Sequence, residues 1–186
     1  KMVKKNACVF ISGKGSNLKK LIENSFQYNF PIKIALVVSN NKNAKGLVYA
    51  RKMSIPFLII KNNKLSEVQV LYEMRKKKIS VICLAGYMKI LSKNFIYRFG
   101  KVIINIHPSI LPKFKGLNTF KRILKSNEKK GGCTVHFVNE KLDSGNIILK
   151  KSFYIKNSDD EKSLKNKTQI LEHKAYSEAL RKIFSY

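Results

Sequence analysis

Asn105-Ile106-His107-Pro108-Ser109 follows directly on the apolar run Val102-Ile103-Ile104, so a polar amide and a titratable imidazole emerge together where a buried strand should end. His is the side chain whose ordinary pKa permits proton transfer near neutrality, and ligands of open α/β sheets sit beyond the carboxyl ends of the strands. Pro108 biases His107 toward extended backbone, which ends the strand at His107 rather than opening a helix. Standing alone, the pair also reads as a structural histidine beside a turn. Asp143, in the turn Leu142-Asp143-Ser144-Gly145-Asn146, is by itself an ordinary turn aspartate. If that turn folds over the end of the 102–106 strand, its carboxylate favours the imidazolium form of His107 and raises its pKa. Asn105 and His107 then donate to one oxygen and stabilise charge developing on it. No Ser or Cys stands in a nucleophile motif, so the attacking atom belongs to a substrate and the stabilised group is a carbonyl undergoing addition.

A second group lies near the start of the chain. Ser12-Gly13-Lys14-Gly15-Ser16-Asn17 joins an apolar run to a helical pattern, where free N–H groups and the helix dipole bind phosphate. Leu18 replaces the last glycine of the dinucleotide fingerprint and no Gly-Lys-Ser/Thr occurs, so a monophosphate fits better than a nucleotide. The same residues also read as a plain Gly-rich turn capped by Ser16 or Asn17. His136, within Val135-His136-Phe137, is expected in the core or on a strand face. Gln169, Glu172, His173 and Tyr176 form one polar stripe at i, i+3, i+4, i+7, either a solvated face or a binding face.

The elements that must position these residues alternate. Strand-length apolar runs at Ala7–Ile11, Ile32–Val38, Phe57–Ile60, Val81–Ala85 and Val102–Ile106 are separated by helical patterns at Asn17–Asn24, Gly46–Met53 and Leu65–Lys77. That is the signature of an α/β fold with a doubly wound, mostly parallel, Rossmann-like sheet. Cys133–Val138 and Ile147–Tyr154 flank the Asp143 turn and add an antiparallel C-terminal section. From about Asp160 to Phe184, Leu164, Thr168, Leu171, Ala175, Ala179 and Ile183 recur at helical spacing, predicting a closing C-terminal helix.

The 186 residues are expected to form a single domain, 1–186, and 44% hydrophobic content supports a core. A net charge of +27 suggests anionic partners, but only five of the 38 basic residues are Arg, the side chain suited to reading bases and gripping phosphate in two bonds. Nucleic acid is therefore disfavoured, and steering of small anionic substrates is the milder reading. Three cysteines without a C-x-x-C pair indicate neither disulfides nor zinc. No apolar stretch approaches the roughly 20 residues that span a bilayer, so a cytoplasmic chain without membrane attachment is expected.

Five segments in order carry a family resemblance: Ser12–Leu18, Leu84–Leu91 (Leu-Ala-Gly-Tyr-Met-Lys-Ile-Leu), Asn105–Pro112, Thr134–Val138 and Leu142–Gly145. Together they resemble the phosphoribosylglycinamide formyltransferases, a folate-dependent formyltransferase family, over nearly the whole chain. The resemblance implies formyl transfer from 10-formyltetrahydrofolate to the amine of glycinamide ribonucleotide in de novo purine biosynthesis, with no metal. It implies that Asn105 and His107 polarise the formyl oxygen and stabilise the tetrahedral intermediate, His107 donating a proton and Asp143 raising its pKa. Gly15, Ser16 and Asn17 would hold the substrate phosphate, with Gln169 and Glu172 also on the substrate and Glu172 at the ribose hydroxyls. Met88, Lys89, Ile90 and Leu91, with the loop from Val138 to Asp143, would receive the pteridine. Two departures stand out. No arginine lies near Leu65-Ser66-Glu67, where some members meet the folate with one and Lys64 is the nearest substitute, and Phe120 replaces a frequent histidine. Methionyl-tRNA formyltransferase shares the Asn, His and Asp arrangement, although no RNA-binding second domain is expected here. Formyltetrahydrofolate hydrolase is a further relative, expected to carry a regulatory domain before the first strand, and a non-catalytic, basic nucleic-acid-binding protein of this fold is the alternative from a different class.

Overall fold

The computed structural model describes residues 3–61 and 64–184. Its strands β1 (Lys5–Ile11), β2 (Ile32–Ser39), β3 (Phe57–Ile59), β4 (Ile79–Leu84), β5 (Val102–His107), β6 (Lys130–Phe137) and β7 (Ile147–Tyr154) form one sheet in the order β3-β2-β1-β4-β5-β6-β7. β1 to β5 pair in parallel, whereas β6 and β7 are antiparallel to their neighbours. The helices are α1 (Ser16–Ser25), α2 (Leu47–Lys52), α3 (Lys64–Lys76), α4 (Lys93–Phe99), α5 (Thr119–Leu124) and α6 (Glu161–Phe184).

The central strands read as continuous apolar runs because both their faces are covered. Ala7, Val9 and Ile11 of β1 pack under α1, α2 and α6, whereas Cys8 and Phe10 point to the opposite face, under α3 and α4. Successive residues of a strand alternate between faces, so Cys8 and Cys83, although on paired strands, lie in different layers. All three cysteines are buried and free. Burial holds the Cys8 thiol well above its ordinary pKa and pushes Cys83 and Cys133 up to about 12, so none presents the thiolate that nucleophilic attack requires.

Two helices escape the periodicity argument. α4 is short, yet its boundaries are marked by Ser92, whose hydroxyl accepts the Phe95 N–H, and by Gly100 at φ 60°. α5 begins after Asn118, also in the left-handed region, and buries only Thr119 and Ile123. Each helix spans two turns or fewer and buries two side chains, too short for a stripe to show. β6 starts at Lys130, three residues before the apolar run that predicts it, because Gly131 and Gly132 continue the ladder against Phe153 and Ser152.

Chain direction across the sheet reverses between β1 and β4, since β1 connects outward to β2 and β3 while β4 connects the other way to β5. A crevice at the carboxyl ends of those two strands follows from this winding. Among the described residues no helix is long and apolar enough to cross a membrane.

Candidate active site

Loops from the carboxyl ends of β1, β4 and β5 meet the 138–143 segment and the first turns of α6 around a cleft of about 690 Å³. Every residue that the sequence nominates for the site lines it: Asn105, His107 and Asp143; Gly15, Ser16, Asn17, Gln169 and Glu172; and Met88, Lys89, Ile90, Leu91 and Val138.

His107 is the last residue of β5 and is 5% exposed. The 138–146 segment folds back over this strand end, placing Asp143 Oδ2 3.2 Å from His107 Nδ1. Gly145 makes the fold-back possible, because a Cβ there would lie 1.7 Å from the Phe137 carbonyl oxygen. Asp143 itself takes φ 47°. Its Oδ2 also accepts the Gly116 N–H at 2.8 Å, and the Asn105 amide nitrogen stands 3.4 Å from Oδ1. The second nitrogen of His107 faces the Phe114 carbonyl at 2.9 Å, an oxygen that Arg122 also holds.

Burial sets the electrostatics as much as pairing does. Loss of water pushes His107 below its ordinary pKa, and the opposing pull of Asp143 and the Phe114 carbonyl does not overcome it. The expected upward shift is therefore corrected: Asp143 acts in that direction, but desolvation of an imidazolium is the larger effect. Burial also pushes the Asp143 carboxyl up. His136 beside Oδ1, the Gly116 N–H and the His107 charge outweigh it and hold the carboxyl below its ordinary value, so Asp143 is ionised.

Across the cleft, Gly15 at φ 71° precedes α1 as its N-cap without any side-chain cap, which rules out Ser16 or Asn17 in that role. The first N–H groups of α1 have no acceptor within the helix, and Gly15, Ser16 and Asn17, which open it, line the cleft. Gly15 lies against Gly46, where a Cβ would come 2.5 Å from the Gly46 Cα, and the Gly46 N–H bonds to Gly13 O. Ser12 ties this loop to the neighbouring one, its Oγ accepting the Met88 N–H at 2.8 Å.

Asn17 turns its side chain away from the helix end and donates to Glu172 Oε2 at 2.9 Å, while its own Oδ1 is buried without a partner. Burial raises the Glu172 carboxyl to about 7, although Asn17 and Lys165 pull it down. Around the slot beyond Asn105, Met88, Ile90 and Leu142 keep much of their apolar surface exposed. Among the described residues no cluster of three or more His, Cys, Asp or Glu side chains could hold a metal ion.

Residues 5–180 match the formyl transferase family model. The chain belongs to the formyl transferase family. A phosphoribosylglycinamide formyltransferase of Haemophilus influenzae is 38% identical over 92% of this chain and 84% of its own length. The trifunctional purine biosynthetic protein adenosine-3 of Chironomus tentans is 39% identical over 98% of this chain, which spans only 14% of that longer relative. The crystal structure of phosphoribosylglycinamide formyltransferase from Brucella melitensis superposes with a TM-score of 0.93 at 36% identity, covering 99% of this chain and 97% of that one.

Against this formyl transferase frame, the polar stripe of α6 divides. Gln169 and Glu172 line the cleft, but Tyr176 is buried and its hydroxyl reaches Leu84 O at 2.8 Å and Ile104 O at 3.3 Å. α6 descends from the rim of the sheet, so a face that meets the cleft at Gln169 meets the core two turns later. His173, rotated by about 100° from Glu172, lies outside the cleft lining, lowered by burial and by the nearby Lys20. His136 is both a core residue and part of the site, 2% exposed and 3.6 Å from Asp143 Oδ1. Its sequence signal was weak because one histidine in an apolar run looks the same in either role. Phe120 lines the cleft. The Lys64 side chain falls outside the described residues.

Proposed function

We propose that this chain transfers the formyl group of 10-formyltetrahydrofolate to the amine of 5'-phosphoribosylglycinamide in de novo purine biosynthesis. The observation that carries this reading is one continuous cleft in which an anion-binding helix start, a carbonyl-polarising Asn-His-Asp group and an apolar slot lie in sequence. The names of the Haemophilus and Brucella relatives support the same acceptor.

The substrate phosphate sits at Gly15, Ser16 and Asn17, where unpaired N–H groups and the positive end of α1 meet it. Glu172 and Gln169 face the ribose, and the orphaned Asn17 Oδ1 is matched by a hydroxyl donor. This fixes the acceptor amine toward His107 and supplies proximity. Exposed apolar surface at Met88, Ile90 and Leu142 fits the fused bicyclic pteridine, with the backbone of Lys89, Leu91 and Val138 completing the slot. When bound there, the folate supplies the formyl group.

As the amine attacks the formyl carbon, negative charge grows on the formyl oxygen. Asn105 donates to that oxygen, and His107 donates a hydrogen bond and then its proton. As the carbonyl re-forms the proton returns to His107, the bond from the formyl carbon to the folate nitrogen breaks, and that nitrogen leaves with the proton that the attacking amine gives up. Both His107 nitrogens face pure acceptors, Asp143 Oδ2 and Phe114 O, so the doubly protonated ring is satisfied at both ends. Burial simultaneously weakens its hold on a proton, which suits an acid that must release one. The formyl oxygen takes the place of Phe114 O at Nε2.

Offering the chain 10-formyltetrahydrofolate with either glycinamide ribonucleotide or methionyl-tRNA tests the reading. Formylation of the ribonucleotide is expected; formylation of the tRNA alone, or of neither, overturns it. A cytoplasmic location belongs to the same reading and is supported by the three free, buried thiols.

A further inference from the structure

We propose, resting on the reaction assigned above, that Lys14 and Lys165 form a cationic pair that flanks the substrate phosphate on the solvent side of the α1 start. Neither side chain belongs to the Gly15, Ser16 and Asn17 cradle, and together they make the acceptor's phosphate charge a condition of tight binding.

The helix start by itself is a weak match for its ligand. A phosphate monoester carries about −1.5 to −2 charges near neutrality, whereas a helix N-terminus presents the equivalent of about half a positive charge. α1 adds no acidic residue in its first turn to oppose the anion, but it adds no side-chain cap either. Most of the phosphate charge is therefore left for side chains to balance. Among the described residues four lysines line the cleft: Lys14, Lys89, Lys141 and Lys165. Lys89 and Lys141 belong to the slot end, one between Met88 and Ile90 and the other beside Leu142. Lys14 and Lys165 remain for the phosphate end.

Their placement fits that role. Lys14 directly precedes Gly15, the N-cap of α1. Lys165 stands four residues before Gln169 and seven before Glu172, so all three share one face of α6. Lys165 is exposed where Gln169 is half-buried, as expected for a helix that descends from the rim. A second cavity of about 440 Å³ shares Lys14, Glu161, Lys165 and Gln169 with the cleft, so the two lysines stand where the spaces join. Among the described residues neither ammonium group has a hydrogen-bond or ion-pair partner, Glu161 included. On the same two helices, Lys20 and Lys167 are taken up by Glu23 and Asp159. The charges of Lys14 and Lys165 are thus left to a ligand, and an ammonium on a flexible stem can follow a phosphate oxygen without demanding one fixed orientation.

Charge removal at the pair and at a distant lysine separates this role from the general charge of the chain. With the full chain, Lys14→Ala and Lys165→Ala are each expected to weaken calorimetric binding of glycinamide ribonucleotide roughly threefold to fivefold, the range of a partly exposed ion pair, and the double variant roughly tenfold or more. The loss should reappear in KM for the ribonucleotide, while KM for 10-formyltetrahydrofolate stays within about twofold. Lys33→Ala removes the same charge from the amino end of β2, at the far end of the strands from the cleft, and should bind like wild type. Lys165 also acts on Glu172, so Lys14→Ala is the variant that reads the phosphate contact alone, and Lys14→Arg should recover most of its loss. Added salt should weaken wild type more steeply than the double variant. Affinities of Lys14→Ala and the double variant that match Lys33→Ala, or equal losses for ribonucleotide and folate, overturn the proposal. Inorganic phosphate, followed through the ¹H–¹⁵N signals of Ser16 and Asn17, makes the same comparison without the reaction: weaker binding by the double variant is expected, and equal binding overturns the pair. Should wild type formylate no ribonucleotide, the reaction assignment fails, while the phosphate titration still decides whether the two lysines hold the anion.

Discussion

Replacing Glu172 by Gln should stabilise the protein at high pH while weakening its hold on the ribonucleotide. The carboxyl is raised from 4.5 to about 7, first by burial and only partly restrained by Asn17 and Lys165. A raised carboxyl binds its proton more tightly in the folded chain than in the unfolded one, so stability falls as pH climbs from about 4.5 to about 7 and is level above that. At about 1.4 kcal/mol per pKa unit the ceiling is about 3 kcal/mol, and partial exposure of the side chain brings the expected value to about 2. Glutamine retains the oxygen that accepts from Asn17 Nδ2 and carries no charge, so the variant removes this penalty without opening a cavity. Urea denaturation of both proteins from pH 5 to pH 8.5 should show stabilities that lie close together at pH 5, separate progressively up to about pH 7 and differ by a constant amount above it. The corresponding gain in Tm is roughly 4–8 °C at pH 8 for a domain of this size. Calorimetric titration with glycinamide ribonucleotide should show weaker binding in the variant. A stability difference independent of pH, or of opposite sign at pH 8, would refute the assignment of Glu172 as a buried carboxylate held at the site against its own solvation.

Asp143→Asn removes the charge that supports His107 while its burial remains, so kcat should fall by about two to four orders of magnitude; steady-state kinetics with little change in ribonucleotide affinity or Tm is the expected pattern, and near-normal turnover would remove Asp143 from the mechanism. Gly145→Ala places a Cβ where only 1.7 Å separates it from the Phe137 carbonyl, so the turn must open; kcat should collapse and Tm fall, whereas phosphate binding at the distant helix start survives. Tyr176→Phe leaves the Leu84 and Ile104 carbonyls without their hydroxyl partner and should cost about 1–3 kcal/mol in chemical denaturation; an unchanged midpoint would show that those carbonyls are satisfied otherwise.

Much of the architecture could be read along the chain because the physics that produces it is local. Doubly covered strands are apolar throughout, and Ala7–Ile11, Val81–Leu84 and Val102–Ile104 announce themselves in that way. Pro108 marks the strand end at His107. α4 and α5 were less legible, since a helix of six or seven residues with two buried side chains shows no period. The small, polar segment Ser12–Asn17 and the Asp143 turn were visible as chemistry without a location.

What tertiary structure decided is distance, and distance fixed the roles. Asp143 lies far along the chain from His107, and only the fold-back permitted by Gly145 brings its carboxylate to 3.2 Å. The same closure buries the imidazole, so the sign of its pKa shift follows from desolvation, a sum over surrounding atoms that sequence spacing does not contain. His136 and Tyr176 make the point from opposite sides. One, read as core, stands beside the catalytic amide, and the other, read as part of a polar stripe, is locked between two strands. Periodicity tells which face of an element a side chain occupies; how deep along that face it meets the core or the cleft depends on where the whole sheet places the element.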